Sequence, residues 1–148
     1  MAVPVRGKLI LDTSIFVSYL RAGLHENWVE GRIKDTSRFL SSIVAFELLL
    51  GAGAAKKRRG VIRRLVRSFP ATRVVAPTNN VYRKAAELFL EIFGSSSGSW
   101  PEGRLGPVHD IVIAVTAVCI GATVVTENGK DFSRIASHLP GFVFVVPG

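Results

Sequence analysis

Short apolar blocks alternate along the chain with longer stretches of helical spacing. Lys8-Leu9-Ile10-Leu11-Asp12 reads as a buried strand ending in a carboxylate. Thr13 and Ser14 can cap a following helix whose apolar face is Ile15, Phe16, Tyr19 and Leu20. The polar stretch His25 to Lys34 is helical or irregular, and Arg38 to Ser41 is a weak strand. Ser42 opens a helix through Leu50, which Gly51-Ala52-Gly53 breaks or bends. A second helical run, Ala54 to Ser68, turns Val61, Ile62, Leu65 and Val66 one way; Pro70 ends it. Arg73 to Ala76 is a strand. Pro77-Thr78-Asn79 starts a helix reaching about Phe93, with Val81, Ala85, Leu88, Phe89 and Ile92 inward. Asp110 heads a nearly all-apolar helix, Ile111 to Ile120, stopped by Gly121. Ala122 to Thr126 is a strand, Asp131 to Leu139 a helix, and Phe142 to Val146 a last strand.

Apolar strands alternating with helices indicate βαβ units and a mostly parallel sheet. Strands apolar on both faces need cover on both sides. The pattern predicts an α/β chain, and a sheet of this kind places its site outside the carboxyl ends of its strands. The stretch 94–107, rich in Gly, Ser and Pro, reads as a long mobile loop inside the domain.

Length and composition sharpen this picture. A chain of 148 residues is the size of one domain and can bury a core without staples. Cys119 is the single cysteine, which excludes an internal disulfide framework and a cysteine-based zinc site. The helical setting of Cys119 predicts packing as a small apolar residue. No signal-peptide pattern is visible at Met1 to Lys8. The longest apolar stretch, Ile111 to Thr126, holds Thr116, Gly121 and Thr123 and falls short of the roughly 18–20 residues that span a bilayer. The expectation is a cytoplasmic protein with no membrane partner.

The net charge is +8, from 19 Lys+Arg against 11 Asp+Glu. Seven of those cations, Lys56, Lys57, Arg58, Arg59, Arg63, Arg64 and Arg67, lie between 56 and 67 with no acid among them. A solvated helix face usually mixes signs, so an all-positive one points to a polyanionic or acidic partner. Trp28 and Trp100 can stack on bases or simply pack.

The acids are few and placed. Of four aspartates, Asp12 ends the first strand, Asp110 starts an apolar helix, and Asp131 follows a strand by a short loop. Glu47 has three apolar residues on each side. Singly, each of these aspartates is also a good helix N-cap, and Glu47 fits a thin solvated stripe. Jointly they flank buried elements, where an unpaired carboxylate costs several kcal/mol. No Lys or Arg lies within a few residues of Asp12, Glu47 or Asp110. Carboxylates that converge need a cation, and an all-oxygen set suits Mg²⁺ or Mn²⁺. Such ions support phosphodiester hydrolysis, which agrees with the basic helix.

Four pieces in order resemble the PIN-domain ribonucleases, most closely the toxins of the VapBC toxin–antitoxin type. They are Leu9-Ile10-Leu11-Asp12-Thr13-Ser14; Ser42 to Leu50 with Glu47; His109-Asp110-Ile111-Val112-Ile113-Ala114; and Val125-Thr126-Glu127-Asn128-Gly129-Lys130-Asp131-Phe132. The likeness runs from about Lys8 to Pro147, and its fourth piece is the most specific. It implies a single PIN-like domain over 1–148, an α/β/α sandwich around a mostly parallel sheet. It implies Mg²⁺- or Mn²⁺-dependent endonuclease action on RNA. By resemblance Asp12, Glu47 and Asp110 are the core catalytic and metal acids, with Asp131 the fourth. Ser14 assists the first acid, and Thr126 and Asn128 orient Asp131 or touch a phosphate or water. Lys56, Lys57, Arg59, Arg63, Arg64 and Arg67 become the RNA- or partner-binding set. A homodimer and a cognate VapB-like antitoxin are implied as partners.

Other readings are weaker. Gly51-Ala52-Gly53 before Lys56-Lys57 lacks the spacing of a phosphate loop and follows a helix. Aspartyl phosphatases of the haloacid-dehalogenase type carry D-x-D, whereas the second position here is Ser14. His109 is a metal or proton-transfer candidate, or a structural histidine. Arg104 can reach RNA or a site acid, or remain solvated. A catalytically silent PIN-like domain that binds RNA or protein is the remaining alternative.

Overall fold

The chain is described here from a computed structural model covering residues 5–94 and 105–148. Five strands form one sheet: β1 (Gly7–Leu11), β2 (Thr36–Ser41), β3 (Val74–Val75), β4 (Thr123–Val125) and β5 (Phe144–Val145). Their order is β3-β2-β1-β4-β5, and every pairing is parallel. The central strand is β1, with Ile10 opposite Phe39 on one side and Val124 on the other. Leu9, Ile10 and Leu11 are wholly buried, as a strand covered on both faces must be.

Among the described residues seven α-helices connect the strands: α1 (Thr13–Ala22), α2 (Glu26–Val29), α3 (Ser42–Ala52), α4 (Lys56–Arg67), α5 (Asn79–Phe93), α6 (Leu105–Ile120) and α7 (Gly129–Ala136). They associate in two groups, α1 with α2 and α3 and α3 with α4, then α5 with α6 and α6 with α7. Right-handed crossovers put these groups on opposite faces, because β2 and β3 lie on one side of β1 and β4 and β5 on the other. The result is the α/β/α sandwich that the hydrophobic pattern predicts. No helix among the described residues is long and apolar enough to cross a membrane.

Helix α6 runs through the core. All residues from Ile111 to Ala117 are buried, and Thr116 satisfies its hydroxyl on the Val112 carbonyl at 2.7 Å. The helix begins at Leu105, five residues before Asp110. Pro107, read as loop in the sequence, sits in its first turn, where a missing N–H costs nothing. So 105–107 leave the predicted loop, while 95–104, with Trp100 and Arg104, lie outside the described residues.

Other boundaries shift for local reasons. Ser41, not Ser42, caps α3, its hydroxyl accepting from the Ile43 amide at 3.2 Å. The edge strands β3 and β5 are two residues each, shorter than their apolar runs. Val143 and Val146 flank β5 at 55% and 49% exposure, so apolar character outruns pairing there. Cys119, expected to pack, is exposed in the last turn of α6. Trp28 packs half-buried against the core.

Helix α7 is pinned by one side chain. Phe132 is fully buried, with ring centroids 6.0 Å from Phe142 and 6.4 Å from Phe144. Phe132→Ala is expected to cost about 3–5 kcal/mol, and Phe132→Leu much less, in urea unfolding. Equal midpoints for the two variants would show that this ring does not hold the helix.

Candidate active site

Beside β1 the connections diverge: the chain leaves β1 toward β2 and later returns as β4 on the other flank. That is the switch point where an open parallel sheet leaves a crevice at its carboxyl edge. Asp12 directly follows β1 and Thr126 directly follows β4, joined by the Asp12 amide on the Val125 carbonyl at 2.8 Å. Asp12 is 3% exposed. Its Oδ2 accepts from the Ser14 hydroxyl at 2.9 Å and from the Thr126 hydroxyl at 2.8 Å. Oδ1 accepts no hydrogen bond among the described residues. Asp12 occupies the N-cap position of α1 yet makes no capping bond. Its carboxylate is committed to the crevice.

Thr126 therefore serves Asp12 rather than Asp131. Its hydroxyl oxygen also accepts the Asn128 amide at 2.9 Å, and the Glu127 amide donates to Ser14 Oγ at 3.1 Å. Three successive residues after β4 thus clamp one acid. Glu127 is held in turn by the Ser18 hydroxyl, with His25 Nε2 at 3.5 Å. The sequence reading missed Glu127, Ser18 and His25. Only the position of Glu127 inside the Thr126–Phe132 motif hinted at them.

The other acids arrive from three helices and line one cleft of about 380 Å³ with Asp12, Ser14 and Asn128. Glu47 comes from α3, with His109 Nδ1 3.4 Å from its Oε1. Asp110 lies inside α6, past its first turn, so the capping reading fails there. Asp131, in the first turn of α7, is exposed. Next to it Phe132 is buried, so adjacent positions send one side chain to the cleft and the other to the core. Arg134, one turn beyond Asp131, also lines the cleft; its guanidinium donates to the Ile92 carbonyl at 3.3 Å and lies over the Phe93 ring. The three-residue interval from Asp131 was the available signal for it.

Electrostatics link the four acids. Burial, then the charges of Asp12, Asp131 and Glu47, push the Asp110 carboxyl up to about 8. Burial also raises Glu47, helped by Asp12 and opposed by His109. Beside it the Thr13 hydroxyl eases that charge, yet its buried oxygen makes no full hydrogen bond among the described residues. Four carboxylates in one lining, one of them driven toward its neutral form, and a buried hydroxyl without a hydrogen bond among the described residues fit a hard divalent cation. The fit is one of chemistry and charge. Among the described residues, no three His, Cys, Asp or Glu side chains stand in metal-gripping geometry.

The basic set lies elsewhere. Lys56, Lys57, Arg58, Arg59, Arg63, Arg64 and Arg67 are exposed on α4 and none lines the acidic cleft. A second groove, of about 650 Å³, runs between α1, α3 and α4, with Val17, Leu20, Leu48 and Ile62 in its walls and Lys57 and Arg58 on its α4 side. Glu47 borders both cavities.

Comparison with known proteins agrees with this architecture. A family model described as PIN domain matches residues 9–137. No curated protein matches the sequence. Among solved structures, VapBC2 from Rickettsia felis bound to a DNA fragment from their promoter is 24% identical, with a TM-score of 0.65, covering 95% of this chain and 99% of that one. DNA-bound VapBC from Salmonella typhimurium is 22% identical, TM-score 0.66, covering 94% and 97%. VapBC-1 from nontypeable Haemophilus influenzae is 23% identical, TM-score 0.63, covering 94% and 97%.

The raised Asp110 carboxyl makes a stability prediction. Folded Asp110 holds a proton up to about pH 8, whereas an unfolded aspartate releases it near 3.8. Across that window the native state binds more protons, so its stability falls as pH rises. Asp110→Asn removes the penalty. Without divalent ions the variant should melt at least about 3 °C above wild type near pH 8 and level with it below pH 4. A constant offset across that range in calorimetric scans would refute the strained-carboxyl account.

Proposed function

The chain belongs to the PIN-domain family, and from that premise we propose that it is a Mg²⁺- or Mn²⁺-dependent endoribonuclease, the toxin of a type II toxin–antitoxin pair. The observation that carries this reading is the set of four carboxylates, Asp12, Glu47, Asp110 and Asp131, lining one cleft at the carboxyl edge of a parallel sheet.

Asp12, Glu47 and Asp110 would hold the ion, with Asp131 completing the set from the open side. Bound there, a divalent cation supplies an activated water and shields the charge that builds on the scissile phosphate. The residues of the chain do the rest. Ser14 and Thr126 fix Asp12 through Oδ2 and leave Oδ1 without a hydrogen bond among the described residues. Asp110, its carboxyl raised to about 8, would help hold the ion in its ionised form, so ion binding would strengthen as pH rises toward 8. Asn128 and Arg134, on the same cleft wall, offer an amide and a guanidinium to phosphate oxygens. The apolar core beneath β1 and β4 excludes water from the back of the site.

A VapB-type antitoxin is the partner we propose, supported by the VapBC complexes among the structural neighbours. The exposed apolar side chains Phe46, Leu49 and Leu50 on α3, and Tyr82 and Leu90 on α5, supply surface for it or for a homodimer. RNA as substrate places the activity in the cytoplasm.

One observation favours the second reading, a silent PIN-like binding domain: among the described residues the acids are not gathered into a three-ligand group. Cleavage of total RNA with Mn²⁺ separates the two. Asp12→Asn should keep the far-ultraviolet spectrum and lower cleavage at least about 100-fold. Mn²⁺ should raise the melting temperature of wild type but not of Asp12→Asn. Undiminished cleavage by the variant overturns the assignment, and absence of both cleavage and a Mn²⁺-induced rise establishes the silent domain.

A further inference from the structure

Helix α4 violates several local rules at once. Its N-cap, Ala55, has no side chain to receive the free amides, and its first turn carries Lys56 and Lys57 where the helix dipole favours acids. Like charges stand four apart at Arg59 and Arg63, and again at Arg63 and Arg67, each pair unfavourable by a few tenths of a kcal/mol. Gly60 sits mid-helix, about 1 kcal/mol worse than Ala, although a Cβ there would meet nothing within 4 Å. None of the seven cations makes an ion pair among the described residues. Nor does the sequence supply counter-charge nearby: between Glu47 and Glu87 there is no acid and there are ten Lys+Arg.

A bound polyanion relieves all the charge faults together, and α4 has a face shaped for one. Ile62 is buried, and Leu65 and Val66 pack against the core. On the opposite face Lys56, Arg63 and Arg67, seven and then four residues apart, form one row flanked by Arg59 and Arg64. That face has no apolar side chain for a peptide to anchor on. Gly60 opens a gap in its middle where a phosphate backbone can come close. Twelve residues make a helix about 18 Å long, matching roughly five phosphates of a strand.

We propose that the outward face of α4 is a docking rail for the phosphate backbone of the RNA substrate, remote from the cut bond. The proposal rests on the endoribonuclease reading for its choice of polyanion. None of Lys56, Arg63 and Arg67 lines the acidic cleft or the groove between α1, α3 and α4, so the rail stands apart from both. The rail reads backbone charge, not base.

The test is binding of a labelled 30-nucleotide RNA by the full chain carrying Asp12→Asn, by anisotropy from 50 to 300 mM salt. Against this background the triple variant Lys56→Gln, Arg63→Gln and Arg67→Gln is compared with a charge-matched control, Lys34→Gln, Arg83→Gln and Lys84→Gln. Glutamine keeps helix propensity, so circular dichroism should not change. The α4 variant should bind at least about 10-fold more weakly at 100 mM salt. Its log–log salt slope should fall by about 2, near 0.7 per lost phosphate contact. The control should lose less than about twofold. Equal losses in both variants would reduce the effect to net charge and overturn the rail. Unchanged RNA affinity with lost binding of poly-glutamate would hand the face to an acidic protein partner and also overturn it. If wild type cuts no RNA while the α4 variant still shows the specific loss, the rail stands and the nuclease reading falls.

Discussion

Four carboxylates in one half-buried cleft are a standing electrostatic debt, and the local architecture is arranged around it. Like charges at short range in a poorly solvated site cannot all remain ionised without compensation. Asp12 is compensated by hydroxyls, accepting from both Ser14 and Thr126 on one oxygen. Glu47 has His109 beside it. Asp131 sits in water. Asp110 has none of these and takes the strain as a carboxyl shifted to about 8. The cost is met by the core: α6 is buried on every side just beyond Asp110, so the backbone that carries the strained acid cannot relax away.

The acids line the cleft from four separate elements, so their spacing is set by the strand end and the helices that bear them. Side-chain rotation about χ1 and χ2 moves an oxygen by several ångströms at little cost. A site of this type is selective for hard cations by donor type more than by a preformed cage, in keeping with the loose, partly hydrated coordination of Mg²⁺.

The sheet and most helices were legible because each strand is apolar on both faces and each helix keeps its stripe. What was not legible depended on contacts distant in sequence. The start of α6 was hidden because Pro107 and Gly106 read as loop residues, although a proline in a first turn is harmless. The capping alternative for Asp110 had the same origin, since the helix start was placed at that residue. The four acids could be picked out singly, by burial and lack of local cations, and by motif. Their meeting in one cleft is a product of strand order, since β4 returns beside β1 rather than beside β3. Sequence proximity linked Thr126 to Asp131, a phosphate or water; the sheet brings its hydroxyl to Asp12, an acid 114 positions away. Glu127, Ser18 and His25 form a second tie behind that bond, and nothing in their spacing announces it.

The net charge of +8 therefore describes no single place on the molecule. Negative charge is concentrated in the cleft, positive charge on α4, and Glu47 stands between them. At physiological salt the Debye length is about 8 Å, so charges on the far side of α4 are screened from the cleft and cannot neutralise it. An anionic strand meeting the bare protein would be attracted to the helix and repelled at the acids. Under the proposed metal-dependent reading, attraction and reactivity are separable in space, the second requiring a cation in the cleft. A surface so divided can hold a polyanion before it can act on one, which makes the order of events a consequence of where the charges lie.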